Sequence, residues 1–252
     1  MAFETDRRVF TGTRTVDQAA FDAGLRAHML RVYNYMASGL ALTGIFAVIV
    51  AQMSIVTNET GQIVALTNLG QTLFGSPLKW VVMLAPLALV FFLSARLHAM
   101  KASTAQGVFW FYSALMGVSL ATIFMAFTGA SIARVFFITA GTFAGMSLWA
   151  YTTKKDLSGW GSFLFMGLIG IILASIVNIF LKSTGLQFAV SIIGVLVFVG
   201  LTAYDTQNIK NEYAEHYDEE TQGKLAISGA LRLYLDFINI FIMLMQLFGD
   251  RR

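Results

Sequence analysis

Two aspartates, Asp205 and Asp236, occur within long apolar stretches that otherwise have the composition of membrane-spanning helices. The other twelve of the fourteen acidic residues lie in the N-terminal segment, in polar connections or at the C-terminus. A carboxylate at the centre of a bilayer costs about 2.5–3.5 kcal/mol, so such residues usually face a partner or a water-filled cavity. We therefore expect this pair to mark the functional site.

The pair could couple protonation to cation binding. Two carboxyl groups in a poorly solvated site cannot both ionise at low cost, so they tend to share a proton and titrate as a unit. A shared proton would join two helices by a hydrogen bond. Its loss would cause repulsion, separate the helices and leave oxygen ligands suited to a hard cation such as Ca²⁺. The residues predict a pH-gated cation path, closed by protonation, in which Ca²⁺ is a transported ion bound transiently by Asp205 and Asp236, with no cofactor.

Further polar residues are predicted to join this pair. Asn208 follows Asp205 by three positions, as Asn239 follows Asp236, and residues three apart lie on one helix face. Each helix would therefore present a carboxyl group and an amide together. Arg96, near the end of the second predicted span, is expected at a similar depth and could bind one carboxylate through two hydrogen bonds. Alternatively, these polar groups serve only to join helices.

The composition indicates a membrane protein. Of the 252 residues, 57% are hydrophobic and only 12% charged, against about 25% charged in a soluble domain. A spanning helix needs about 20 mainly apolar residues. Seven stretches qualify: 30–53, 79–99, 107–127, 132–152, 160–181, 188–208 and 229–248. We predict an all-α integral membrane protein, with a flexible cytoplasmic N-terminal segment at residues 1–28 and a single seven-helix membrane domain at 29–252.

The basic residues predict the orientation in the lipid bilayer. With the N-terminus inside, twelve of the 17 lysines and arginines fall on the cytoplasmic side, which normally carries the excess. The C-terminus would then lie outside. The basic residues do not alternate with aromatics as in a nucleic-acid site. The absence of cysteine excludes thiolate catalysis and thiolate metal sites.

Enzyme classes that use membrane-embedded residues fit poorly. An intramembrane aspartyl protease should carry Gly-x-Gly-Asp at its second aspartate, whereas residues 233–236 read Leu-Tyr-Leu-Asp. A rhomboid-type serine protease is suggested by Ser131 after Gly-Ala, but no later span holds a histidine to act as base. A retinal protein would need a lysine in the seventh span, which has none. We expect no enzymatic activity.

The residues around the two aspartates resemble the transmembrane Bax inhibitor motif family, in its bacterial branch. The similarity is carried by GLTAYDTQNIK at residues 200–210 and GALRLYLDFIN at residues 229–239, and extends from about residue 25 to residue 249. The resemblance implies a bacterial inner-membrane protein whose last helix is central and wrapped by the other six.

The same resemblance implies a function. It implies a Ca²⁺ leak governed by a di-aspartyl pH sensor, here Asp205 and Asp236, with Arg96 similar to the arginine that such a pair contacts. Bacterial relatives also include modulators of a membrane-bound ATP-dependent protease. A non-enzymatic modulator is therefore the alternative function, with residues 1–28 and the acidic connection 212–220 as its contact surfaces. The sequence does not determine the oligomeric state.

Overall fold

The computed structural model describes residues 5–58 and 62–252, with side chains from residue 20 onward, His98 excepted. Seven long helices dominate the described chain: α1 (Thr5–Ser54), α2 (Leu78–Arg96), α3 (Ala102–Ala126), α4 (Gly129–Thr152), α5 (Gly161–Leu181), α6 (Thr184–Glu212) and α7 (Glu219–Phe248). Each is long and apolar enough to cross a membrane, with Ala20–Ser54 as the candidate span of α1. The prediction of an all-α, seven-helix membrane protein is confirmed.

Helix α1 runs without interruption through the predicted domain boundary at residue 28. Leu25 and Met29, on either side of that position, are both buried in the main hydrophobic core. The boundary therefore does not coincide with the end of a helix. Residues 1–4 lie outside the described residues, and the flexibility of residues 1–28 stays a prediction.

The connection between α1 and α2 contains a short hairpin. Strand β1 (Ile55–Thr57) pairs antiparallel with β2 (Ile63–Leu66). Short helical turns at Asn68–Gly70 and Gln71–Gly75 then lead to α2. Gly70 is required there, because an added Cβ would lie 2.1 Å from the carbonyl oxygen of Ser54.

The last helix, α7, is the centre of the bundle. Its apolar window is 72% buried, against 39% or less in the other six candidate spans. It packs mainly on α1, α3, α4 and α6, whereas α2 packs on α3 and α5 packs on α6. The expectation of a central last helix is confirmed, with four of the other helices as its main neighbours.

Side chains from three helices meet at a fully buried hydroxyl cluster on α7. The Thr43 hydroxyl donates to the Ser113 carbonyl oxygen at 2.8 Å and lies 2.6 Å from the Tyr234 hydroxyl. Because the single proton of Thr43 is already used, Tyr234 must be the donor to Thr43. This cluster joins α1, α3 and α7 and fixes the central helix within the bundle.

Both ends of α7 are also tied to neighbouring elements. At its start, a Glu220 carboxylate oxygen accepts a hydrogen bond of 2.7 Å from the backbone N–H of Ala102, in the first turn of α3. Beyond its end, the Asp250 carbonyl accepts a bond from the backbone N–H of Thr128, and the Arg134 guanidinium contacts the Asp250 carboxylate at 3.0 Å. The position of α7 along its own axis is thereby fixed.

Candidate functional site

The two aspartates lie on adjacent antiparallel helices. Asp205 is on α6 and half-buried, whereas Asp236 is on α7 and only 4% exposed. Their carboxyl groups interact electrostatically with one another. The structure therefore brings together the pair that the sequence singled out.

The hydrogen bonding of the two carboxyl groups bears on the proton that they are predicted to share. No hydrogen bond joins Asp205 to Asp236 among the described residues, and Oδ2 of Asp236 is buried without any hydrogen-bond partner there. An unsatisfied buried polar atom costs roughly 1–3 kcal/mol. A proton shared by Asp205 and Asp236 stays a prediction.

Arg232 is the cation of the site. It precedes Asp236 by one helical turn on α7 and interacts electrostatically with both Asp205 and Asp236. Its guanidinium forms an ion pair with the Glu212 carboxylate, in the last turn of α6. Its Nε is buried and makes no hydrogen bond within the described part of the chain. A spare donor therefore remains beside the two aspartates.

Arg232 was not predicted from the sequence as a site residue, since it is one of the twelve basic residues assigned to the cytoplasmic side. The sequence spacing of Arg232 and Glu212 relative to the two aspartates could have indicated the ion pair. Arg232 stands four positions before Asp236, and Glu212 stands seven positions after Asp205, so each lies on the same helix face as its aspartate. The helix faces that carry Asp205 and Asp236 were predicted to meet. An ion pair between Arg232 and Glu212, which lie on these faces, could have been predicted on that basis.

Arg96 does not take the predicted place. It is exposed at the C-terminal end of α2 and forms no ion pair with any described residue. Its helix packs mainly on α3, although the turn Leu97–Ala99 that follows Arg96 contacts α7. Depth in the membrane was predicted from the sequence, but a similar depth does not place two residues on neighbouring helices. In this structure the arginine that interacts electrostatically with the pair is Arg232, and the role of Arg96 in the sensor stays a prediction.

The two asparagines share the helix faces of the aspartates but do not bind them. The Asn239 amide donates a hydrogen bond of 2.8 Å to the Leu235 carbonyl of its own helix. Asn208 is half-buried and forms no hydrogen bond with the residues described. Their amide oxygens remain available as neutral ligands near the carboxyl groups.

A chain of hydroxyl groups fixes α6 next to Asp205. Thr206 donates to the carbonyl of Thr202, which lies one turn earlier, at 2.7 Å. The Ser147 hydroxyl lies 2.9 Å from the Thr206 hydroxyl and 2.6 Å from the Tyr33 hydroxyl. Since Thr206 has used its proton, Ser147 must donate to it, and Tyr33 must in turn donate to Ser147. This ordered chain links α1, α4 and α6, and no pattern in the sequence indicated it.

The residues after Asp205 are held by the connection between α4 and α5. The Lys210 ammonium donates to the Tyr151 carbonyl at 2.9 Å. The Gln207 side chain donates to the Lys155 carbonyl and accepts from the backbone N–H of Leu157. These bonds hold this end of α6 against α4 and the α4–α5 connection.

The described residues of the site offer only part of a ligand set for a metal ion. In the part of the chain that the structure describes, no three histidine or carboxylate side chains cluster as ligands would. Ca²⁺ takes six to eight oxygen ligands, so the two carboxylates could supply only part of its coordination. The remainder would have to come from amides, backbone carbonyls and water.

Comparison with known proteins identifies the relatives of this chain. A family model described as inhibitor of apoptosis-promoting Bax1 (Bax1-I) matches residues 25–252. The inner membrane protein YbhL of Escherichia coli is 48% identical over 233 residues, covering 91% of this chain and 94% of YbhL. The protein RP147 of Rickettsia prowazekii is 45% identical over 242 residues, covering 96% of this chain and 97% of that protein. The similarity thus extends over all seven helices.

Proposed function

This chain belongs to the family of inhibitors of apoptosis-promoting Bax1, as its sequence resemblance predicted, and we propose that it is a pH-sensitive Ca²⁺ leak of the bacterial inner membrane. The seven candidate spans and the name of the relative YbhL support the location. Asp205 and Asp236 would form the sensor, with Arg232 as the cation that tunes it.

The buried carboxyl group of Asp236 carries the proposal. It lies on the most buried helix, has an oxygen without a hydrogen-bond partner in the described chain, and faces a second carboxyl group. A group that served only to join helices would be expected to have its oxygens paired, because pairing is what makes burial affordable. An unpaired acid on the central helix is better explained by a requirement for titration or ion binding.

Protonation would control the leak through repulsion. When both carboxyl groups are ionised, two negative charges face each other across the α6–α7 interface, and the Arg232 guanidinium is partly neutralised by Glu212. At an effective dielectric constant of about 20, like charges repel by roughly 4 kcal/mol when about 4 Å apart and by less at longer distances. Gain of one proton removes this repulsion, which favours the closed packing of α6 on α7.

Flux measurements on the reconstituted protein test the proposal. Wild-type protein in liposomes should pass Ca²⁺ at neutral pH and much less at acidic pH. Asp205→Asn and Asp236→Asn imitate the protonated state, so each should abolish the pH dependence and hold the flux at its low value. Asp156→Asn serves as a matched control, because this aspartate is exposed in the α4–α5 connection and should leave the pH response intact.

Two outcomes would count against the proposal. Normal pH dependence in both Asp205→Asn and Asp236→Asn would remove the sensor. Absence of Ca²⁺ flux through folded wild-type protein would remove the leak itself, and the non-enzymatic modulator of a membrane protease would then become the leading function.

A further inference from the structure

One face of α7 carries a stripe of four polar residues and one apolar residue. Successive members of the stripe are 4, 3, 4 and 3 residues apart along the sequence. Because each residue turns an α-helix by about 100°, all members lie within an arc of about 80° around the helix axis. Its members are Arg232, Asp236, Asn239, Met243 and Gln246. Contacts at both ends place this face against α6, through the Arg232–Glu212 ion pair and a 2.8 Å hydrogen bond from Ser191 to Gln246.

The Gln246 end of the stripe opens into a polar cavity of about 430 Å³. Side-chain oxygens and amides line much of it, contributed by Ser175, Asn178, Gln187 and Gln246. The cavity lies where α5 ends and α6 begins, at the end of the bundle opposite Glu212. Asp236 is ten residues from Gln246, which corresponds to about 15 Å along the helix.

Met243 occupies the interval between this cavity and the buried acid. Its side chain lies against Gly194 of α6, where an added Cβ would meet the thioether sulfur at 3.0 Å and Cγ at 3.1 Å. The glycine therefore forms a notch in α6 that the methionine fills. A thioether on an unbranched chain is flexible and can leave such a notch without any movement of the backbone.

We propose that Met243, seated on Gly194, is an apolar gate on the α6–α7 interface that separates the Gln246 cavity from the Asp205–Asp236 pair. This inference rests on the proposed Ca²⁺ leak and assigns its route. Apolar constrictions close ion paths by excluding water. With Met243 displaced, oxygen ligands from Gln246, Asn239 and Asp236 would follow one another along a single helix face.

Charged side chains near the cavity would affect the entry of a cation at the Gln246 end of the stripe. Lys182 lines the cavity, at the single residue with a left-handed backbone (φ 50°) among the described non-glycine residues. Its ammonium would repel an approaching cation, and its side chain is exposed, so the repulsion would be screened by salt. The acidic groups at the other end of the stripe are Asp205, Asp236 and Glu212, with Arg232 and the buried His28 beside them.

Thiol labelling tests the gate without reference to Ca²⁺. The chain has no cysteine, so Asn239→Cys introduces the sole reactive thiol on the far side of Met243 from the cavity. A membrane-impermeant maleimide added from the Gln246 side at acidic pH, where the proposed leak is closed, should react slowly with this variant. Addition of Met243→Ala should raise the labelling rate at least tenfold, whereas Met243→Leu should leave it slow.

Met245→Ala is the matched control for loss of a methionine side chain. Met245 lies on the same helix, is 1% exposed and belongs to the hydrophobic core, so its truncation destabilises the bundle without opening the stripe. A rate that rises equally in the Met243→Ala and Met245→Ala variants, or in neither, would overturn the gate.

The same single variants, with Asn239 intact, are then assayed for Ca²⁺ flux. Met243→Ala should raise the flux at acidic pH several-fold. Faster labelling with no flux in any protein would leave the gate standing and refute the leak. The wild-type protein could instead show a Ca²⁺ leak while Met243→Ala increases neither the labelling rate nor the flux. That result would refute the gate but not the leak.

Discussion

Replacement of Arg232 by glutamine should shift the pH response of the leak upward. Arg232 lies one turn from Asp236, and residues so spaced have Cβ atoms about 5–6 Å apart. Loss of the positive charge makes ionised carboxylates less stable relative to protonated ones. Protonation would then persist to higher pH, and the closed state with it.

The size of the shift follows from Coulomb's law. Two unit charges about 6 Å apart interact by roughly 2.8 kcal/mol at an effective dielectric constant of about 20. The Arg232 side chain is 29% exposed and already shared with Glu212, so we take half of this value. Since about 1.4 kcal/mol corresponds to one pH unit, the midpoint of Ca²⁺ flux should rise by about one unit.

Two further variants make this prediction specific. Glu212→Gln removes a negative charge that acts on Asp205 and releases Arg232 from its ion pair, so the midpoint should fall. Arg96→Gln removes an exposed arginine apart from the pair and should leave the midpoint unchanged. The assay is dye-reported Ca²⁺ flux in liposomes between pH 5 and pH 8. An unchanged midpoint in Arg232→Gln, or an equal shift in Arg96→Gln, would refute the assignment of Arg232.

The buried hydroxyl cluster and the exposed α4–α5 connection give two further predictions. Thr43→Val leaves the Tyr234 hydroxyl and the Ser113 carbonyl unpaired and should cost about 1–3 kcal/mol, whereas Tyr234→Phe should cost only about 1 kcal/mol. Thermal unfolding in detergent measures the stability of both variants. A loss in Tyr234→Phe as large as that in Thr43→Val would contradict the inferred direction of the bond. Hydrogen bonds from the side chain and backbone N–H of Ser158 hold the pKa of Asp156 below its usual range. The stabilisation of the folded state by these hydrogen bonds should therefore persist above the unfolded-state pKa of Asp156 and disappear as pH falls through its lower folded-state pKa. A normal titration of the Asp156 carboxyl group by NMR would contradict this.

The sequence alone determined the number of helices and their positions along the chain. The thickness of the bilayer fixes the length of an apolar span, so seven stretches near 20 residues could be located without tertiary information. The same constraint isolated Asp205 and Asp236, because a carboxyl group in an apolar span is costly wherever the helix packs. Family membership was also readable, since the residues around the two aspartates form a specific pattern.

Only the tertiary structure decided which side chains meet. Hydropathy gives the depth of a residue in the membrane, but not the neighbours of its helix or the direction of its side chain around the helix axis. Arg96 and Arg232 were therefore indistinguishable by depth, and only the helix packing placed Arg232 beside the pair. The Tyr33–Ser147–Thr206 chain and the Met243–Gly194 contact likewise join residues far apart in sequence. Such contacts depend on how whole helices fit together, and a local pattern carries no record of that fit.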